Sequence, residues 1–157
     1  MTAFEPWSEE RTSAIVAAHT HLEGPLMPIL HAVQEAFGFV PEAAIPVIAQ
    51  DLNLSRAEVH GVVTFYHDFR REPAGRKIIK VCRAEACQAM GCETLVKHAE
   101  DRLGIECGGT TADGRVTFET IYCLGLCATA PSAMVDGKII GRLDTAKLDK
   151  ILAETGA

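Results

Sequence analysis

The chain has 157 residues, 48% of them hydrophobic and 23% charged, with a net charge of −6. That composition suits a globular protein with room for one ordinary domain or two small ones. The acidic balance argues against a nucleic-acid surface, which needs clustered Lys and Arg, and no apolar run approaches the ~20 residues that span a bilayer.

The opening residues, Met1 to Glu10, hold no basic stretch followed by an apolar one. No targeting segment is expected, and a cytoplasmic location is. In that reducing compartment the six cysteines point to metal binding, redox chemistry or burial rather than to a disulfide framework.

The first half reads as helical. Ser8 caps a first helix with Glu9 and Glu10 in its opening turn and Ile15, Val16 and His19 on one face. Gly24-Pro25 breaks it. Leu26, Ile29, Leu30, Val33 and Phe37 then recur at helical spacing up to Gly38. Pro41 suits the first turn of a third helix carrying Ile45, Ile48 and Leu52. Ser55-Arg-Ala-Glu58 is a capping box in front of a fourth, with Val59, Val62 and Val63. Four short helices burying their stripes against one another account for this half.

Arg70 to Arg76 is polar, contains Pro73 and Gly75, and reads as a linker. Beyond it the period changes. Lys77 to Val81 is a β-rich run, Cys92 to Leu103 has helical period, and Val116 to Tyr122 alternates after the turn Asp113-Gly114. Ala133 to Val135 and Lys138 to Ile140 flank Asp136-Gly137, a two-residue hairpin signal. Thr145 opens a last helix with Leu148, Ile151 and Leu152. The expected fold class is α+β. A helical domain occupies residues 1–74, and an α/β domain occupies residues 75–157.

Two cysteine pairs carry the chemistry. Cys82 and Cys87 form C-x4-C, and Cys123 and Cys127 form C-x3-C. Each pair is expected in a loop just after a strand. Four thiolates from two neighbouring strand ends suit a [2Fe–2S] rhomb, which takes two per iron. Gly125, between two ligands, lets the backbone approach the sulfurs and donate N–H bonds. Spacing alone leaves rivals open: structural zinc, which prefers C-x2-C knuckles, and inert or dithiol cysteines. A Rieske centre needs two His in tight motifs with Cys, and none is so placed. Cys92 falls on the apolar stripe of Leu95, Val96, Ala99 and Leu103 and reads as a buried thiol. Cys107 has no close partner and reads as a free loop or buried thiol.

At these motifs the chain resembles a known family. Cys82-x4-Cys87, followed by Cys123-Leu-Gly-Leu-Cys127 with Ala130-Pro131, is similar to the thioredoxin-like [2Fe–2S] subunit beside the flavin subunit of respiratory NADH dehydrogenase. Relatives of that subunit serve NAD-reducing hydrogenases and NAD-dependent molybdenum formate dehydrogenases. Leu26-x-Pro28-x-Leu30, Gln34, Gly38 and Pro41 resemble the family's helical segment, and Gly61-Val-Val-Thr-Phe-Tyr66 its fourth helix. The resemblance implies a thioredoxin-like α/β ferredoxin domain with one [2Fe–2S] cluster on Cys82, Cys87, Cys123 and Cys127. Cys82-Arg-Ala-Glu-Ala-Cys87-Gln-Ala-Met-Gly91 and Tyr122 to Ala128 look most like the gamma subunit of soluble NAD-dependent formate dehydrogenase. That likeness implies a beta subunit binding FMN and NAD and an alpha subunit holding a molybdenum cofactor and iron–sulfur clusters. It places no catalytic residue, FMN, NAD or molybdenum in this chain.

Other residues have plainer readings. His60 and His67 are taken as packing or interface histidines rather than a metal pair. Glu85 is taken as a solvated charge or an interface contact. Arg83 favours a more negative cluster while Glu85 opposes it, so no net sign follows. Phe65 and Tyr66 are expected to pack in the core or between the domains.

Overall fold

A computed structural model of the chain describes residues 4–155. The chain divides into two compact units, residues 1–73 and 74–157.

The first unit holds α1 (Glu9–His19), α2 (Leu26–Phe37), α3 (Ala44–Asp51) and α4 (Arg56–Phe65). The Ser8 side chain accepts from the Arg11 N–H, and Ser55 and Glu58 complete a reciprocal capping box. Gly38 ends α2 in the left-handed region at φ 81°, where a side chain would be strained. Pro41 lies ahead of α3 rather than inside it. Its carbonyl accepts the Ala44 N–H in a tight turn, and the α-helix begins only there. Ile29, Leu30, Val33, Ile48, Val59 and Val63 form the centre of this unit's core. Gln34, on α2, ties down the segment after α4: its side chain donates to the Asp68 carbonyl and accepts the Arg70 N–H.

The second unit is a four-stranded sheet, among the described residues, in the order β2-β1-β3-β4. Its strands are β1 (Lys77–Cys82), β2 (Val116–Ile121), β3 (Ala133–Val135) and β4 (Lys138–Ile140). The helices α5 (Glu85–Ala89) and α6 (Cys92–Leu103) connect β1 to β2, and α7 (Thr145–Glu154) closes the chain. β1 and β2 are parallel, as a helical crossover allows. β3 and β4 pair antiparallel across Asp136 and Gly137, at φ 47° and 83°, the positive values a tight hairpin requires. Asp136 also accepts from the Ile78 N–H at 2.8 Å, fixing the hairpin against β1. Ile79, Val81, Leu95, Phe118, Leu148 and Leu152 lie at the centre of the core. Asp144, which no sequence signal singled out, caps α7 by accepting from the Lys147 N–H.

The loop before β2 has a pH signature. Asp113 accepts from the Thr111 hydroxyl at 2.7 Å and the Arg115 N–H at 3.0 Å, and pairs with the Arg115 guanidinium. The Thr111 bond first, then those of Arg115, hold its carboxyl at about 2 instead of the ordinary 3.8. A depressed carboxyl stabilises the fold fully above its unfolded value, and that support is lost as pH falls through the folded one. Asp113→Asn is therefore expected to be less stable than wild type at neutral pH, with a gap that closes as pH falls from 3.8 to about 2. Urea midpoints across that range check it; a gap that stays constant to the acid end contradicts it.

Candidate metal centre

The parallel pairing of β1 and β2 puts their C-terminal ends at one edge of the sheet, where α/β proteins place their sites. Cys82 is the last residue of β1, in register with Ile121, the last of β2. Cys123 follows two residues later. Cys87 sits in α5, and Cys127 opens a single 3-10 turn, Cys127–Thr129. The expectation of loops on both sides is thus corrected: Cys82 closes a strand and Cys87 belongs to a helix. A helix of five residues shows no period in sequence. It is held by the Gln88 side chain donating to the Arg83 carbonyl at 2.9 Å.

The four sulfurs come together as two pairs of different character. Cys82 and Cys87 are each 2% exposed, whereas Cys123 and Cys127 are at the surface. The Cys123 and Cys127 sulfurs are 3.8 Å apart, and the Cys123 N–H donates to the Cys82 sulfur at 3.4 Å. Cys123 itself adopts φ 71°, a left-handed conformation unusual for a residue with a Cβ. Gly125 follows at φ 75° and donates its N–H to the Cys123 sulfur at 3.4 Å. A Cβ there would meet nothing within 4 Å, so glycine is needed for its backbone angle and not for close approach.

The Cys82 and Cys127 thiols are shifted in opposite directions. Burial pushes the Cys82 thiol up, but the N–H groups of Ala84, Cys123 and Leu124, with the Cys87 side chain, outweigh it and leave the thiol lowered. The Cys127 thiol is raised, first by its bond to Cys123 and that residue's charge, then by burial and by Cys87 and Cys82. Four thiolates crowded together repel one another, and bound cations remove that penalty. Among the described residues no three His, Cys, Asp or Glu side chains converge as ligands of one ion would. Two sulfur pairs with N–H donors aimed at them fit a two-iron rhomb, with two thiolates per iron.

The remaining candidates differ in place and in partner. Cys92 is fully buried beside Cys82 and Cys87 in a small apolar cluster, and burial raises its thiol. Cys107 is partly buried and likewise raised by burial. Arg83 is engaged by Glu93 through two bonds of 2.8 and 2.7 Å, so Glu93, and not Glu85, offsets its charge. Glu85 is exposed. His60 and His67 are exposed, and His60 lines a cavity of about 460 Å³ with Glu42 and Arg56. Phe65 does not pack in the core: it is 73% exposed and meets Tyr66 edge-on. No local pattern marks Ser132, which lies against the first cysteine pair.

Residues 12–156 match the family of thioredoxin-like [2Fe–2S] ferredoxins. The chain is 39% identical to one subunit of the NADH-quinone oxidoreductase of Pseudomonas aeruginosa, over 92% of this chain and 89% of that one. It is 38% identical to NADP-reducing hydrogenase subunit HndA of Solidesulfovibrio fructosivorans, over 84% and 77%. Its fold matches a chain in the crystal structure of an NAD+-reducing [NiFe]-hydrogenase in the H2-reduced state. The TM-score is 0.72 at 26% identity, and the match covers 83% of this chain but only 22% of that one. The match over nearly the whole length, with the paired cysteines at the sheet edge, means that the chain belongs to the thioredoxin-like [2Fe–2S] ferredoxin family and carries a [2Fe–2S] cluster.

Proposed function

We propose that this chain is an electron-transfer subunit of a soluble NAD-dependent formate dehydrogenase, holding its cluster on Cys82, Cys87, Cys123 and Cys127. The meeting of these four sulfurs at the ends of β1 and β2, one pair buried and one at the surface, is the observation that carries the electron-transfer role. The [2Fe–2S] group supplies reversible one-electron transfer. The protein's part is to hold it from the buried side by Cys82 and Cys87 and to direct N–H groups at the sulfurs. Cys123 and Cys127 bring the site to the surface, where Tyr122 and Met90 are also exposed.

The partners follow from the same reading. A beta subunit binds FMN and NAD next to the cluster. An alpha subunit with a molybdenum cofactor and iron–sulfur clusters oxidises formate to CO2, and NAD is reduced. Residues 1–74 form a helical domain that contacts a partner, and residues 75–157 form the cluster domain. The location proposed with this reading is the cytoplasm, without membrane insertion; among the described residues no helix is long and apolar enough to cross a membrane.

The choice of formate dehydrogenase rests on Arg83-Ala-Glu-Ala between the first two ligands. A second reading places the chain in the equivalent position of an NADH:quinone oxidoreductase or an NAD-reducing hydrogenase. It is favoured by the relatives named for those complexes. A pull-down from the native cell is expected to yield formate-dependent NAD reduction and molybdenum. NADH oxidation without either selects the quinone-linked complex, and hydrogen-dependent NAD reduction selects the hydrogenase. A colourless, EPR-silent zinc protein would replace the redox reading with a structural assembly module.

A further inference from the structure

Three polar side chains are buried among the described residues: Thr12, Thr117 and Ser132. The Thr12 hydroxyl donates to the Ser8 carbonyl, and that of Thr117 pairs with Thr110 and accepts the Gly75 N–H. Ser132 differs. It is 1% exposed, and among the described residues its hydroxyl meets only the Cys87 sulfur, at 3.6 Å.

The backbone explains why it is there. Ser132 immediately precedes β3, which pairs antiparallel with β1. Its carbonyl accepts the Cys82 N–H at 2.9 Å. One residue at the start of the third strand therefore holds both members of the Cys82–Cys87 pair, one through its backbone and the other through its side chain. A sulfur bonded to iron carries no proton, so the direction of the side-chain bond is fixed: the Ser132 O–H donates and Cys87 accepts.

We propose that Ser132 is a positioning residue for the cluster, whose hydroxyl bond to the Cys87 sulfur raises the reduction potential. The inference rests on the ligand role proposed for Cys87. An electron added to the cluster increases the negative charge on its sulfurs, and a hydrogen bond to sulfur is worth more in that state. Burial enforces the effect, because water does not replace the hydroxyl when it is removed and the local dielectric is low. Serine is suited to the place by size: it brings a donor to the sulfur without the bulk of a longer polar side chain.

The test is a redox titration of the full chain with its cluster, followed by EPR, for wild type, Ser132→Ala and Ser132→Thr. Ser132→Ala is expected to keep its iron and sulfide and to be harder to reduce by roughly tenfold in the equilibrium constant, about 59 mV for one electron. Ser132→Thr, which keeps the hydroxyl, is expected to recover most of the shift. A loaded Ser132→Ala protein with an unchanged potential overturns the proposal, and so does a shift that threonine does not recover. Resonance Raman of the wild-type protein in H2O and D2O covers the case in which the alanine variant fails to load. Stretches assigned to the Cys87 ligand that are insensitive to exchange in wild type then overturn the proposal, and Cys87 stretches shifted in wild type and threonine alike support it. Cys87→Ser separates the two levels: an unaltered cluster in that variant overturns the ligand assignment itself, whereas an unshifted Ser132→Ala overturns only the hydrogen bond.

Discussion

Serine at any one of Cys82, Cys87, Cys123 or Cys127 is expected to remove or severely perturb the visible absorbance and the rhombic EPR signal of the reduced cluster. Iron is held by thiolate, and a serine hydroxyl neither ionises at neutral pH nor matches the softness of sulfur. Loss of a direct ligand should lower bound iron by more than the ~10-fold that indirect partners of a metal already control. The two pairs should differ in degree. Cys82 and Cys87 are each 2% exposed, so no water takes the vacated position and the loss is complete. Cys123 and Cys127 are at the surface, where solvent can serve as a poor substitute, and a residual altered spectrum is expected. Cys92→Ser and Cys107→Ser should leave the spectrum intact. Cys92 is the sharper control because it is fully buried beside Cys82 and Cys87. A colourless Cys92→Ser protein beside a normally coloured Cys82→Ser protein would move the first ligand pair to Cys87 and Cys92.

The parts of this site that sequence reveals are those written in local pattern. Ser55 and Glu58 announce a helix start by residue type and spacing, and Asp136-Gly137 announces a hairpin because few residues accept positive φ there. The C-x4-C and C-x3-C pairs stand out for the same reason. What sequence hid depends on strand order. Ser132 is far from Cys87 along the chain and meets it only because β3 pairs with β1. Gln34 has no visible purpose in a helical stripe until the segment at Asp68 and Arg70 folds back onto it. Phe65 looks like core because it is aromatic and ends an apolar helix, yet its position falls off the buried stripe of Val59 and Val63. Hydrophobicity marks which residues can be buried and not which side of a short helix is covered.

Phe118→Ala should weaken the cluster-bearing unit by about 3–5 kcal/mol, the usual cost of truncating a buried phenylalanine. Phe118 is fully buried, pairs in register with Ile79 on β1, and bonds the neighbouring segment through both backbone groups, its C=O accepting the Gly108 N–H and its N–H donating to the Gly109 carbonyl. Those bonds hold β2 in place, so the surroundings cannot collapse into the space left behind, and the cavity penalty adds to the lost burial. A domain has only about 5–15 kcal/mol of stability in all, so the loss takes up much of it. The same substitution tests whether the two units fold separately. Phe118 belongs to the core of residues 74–157, whereas the core of residues 1–73 is built from other side chains. The single tryptophan, Trp7, lies in the first unit and the cysteine pairs lie in the second. Denaturant unfolding can therefore be followed by Trp7 fluorescence and by cluster absorbance in one sample. With independent units, Phe118→Ala moves the absorbance midpoint to lower denaturant and leaves the Trp7 midpoint in place. If both midpoints move together by the same amount, the units unfold as one body, and the helical segment is part of the cluster domain's own stability rather than a separate domain.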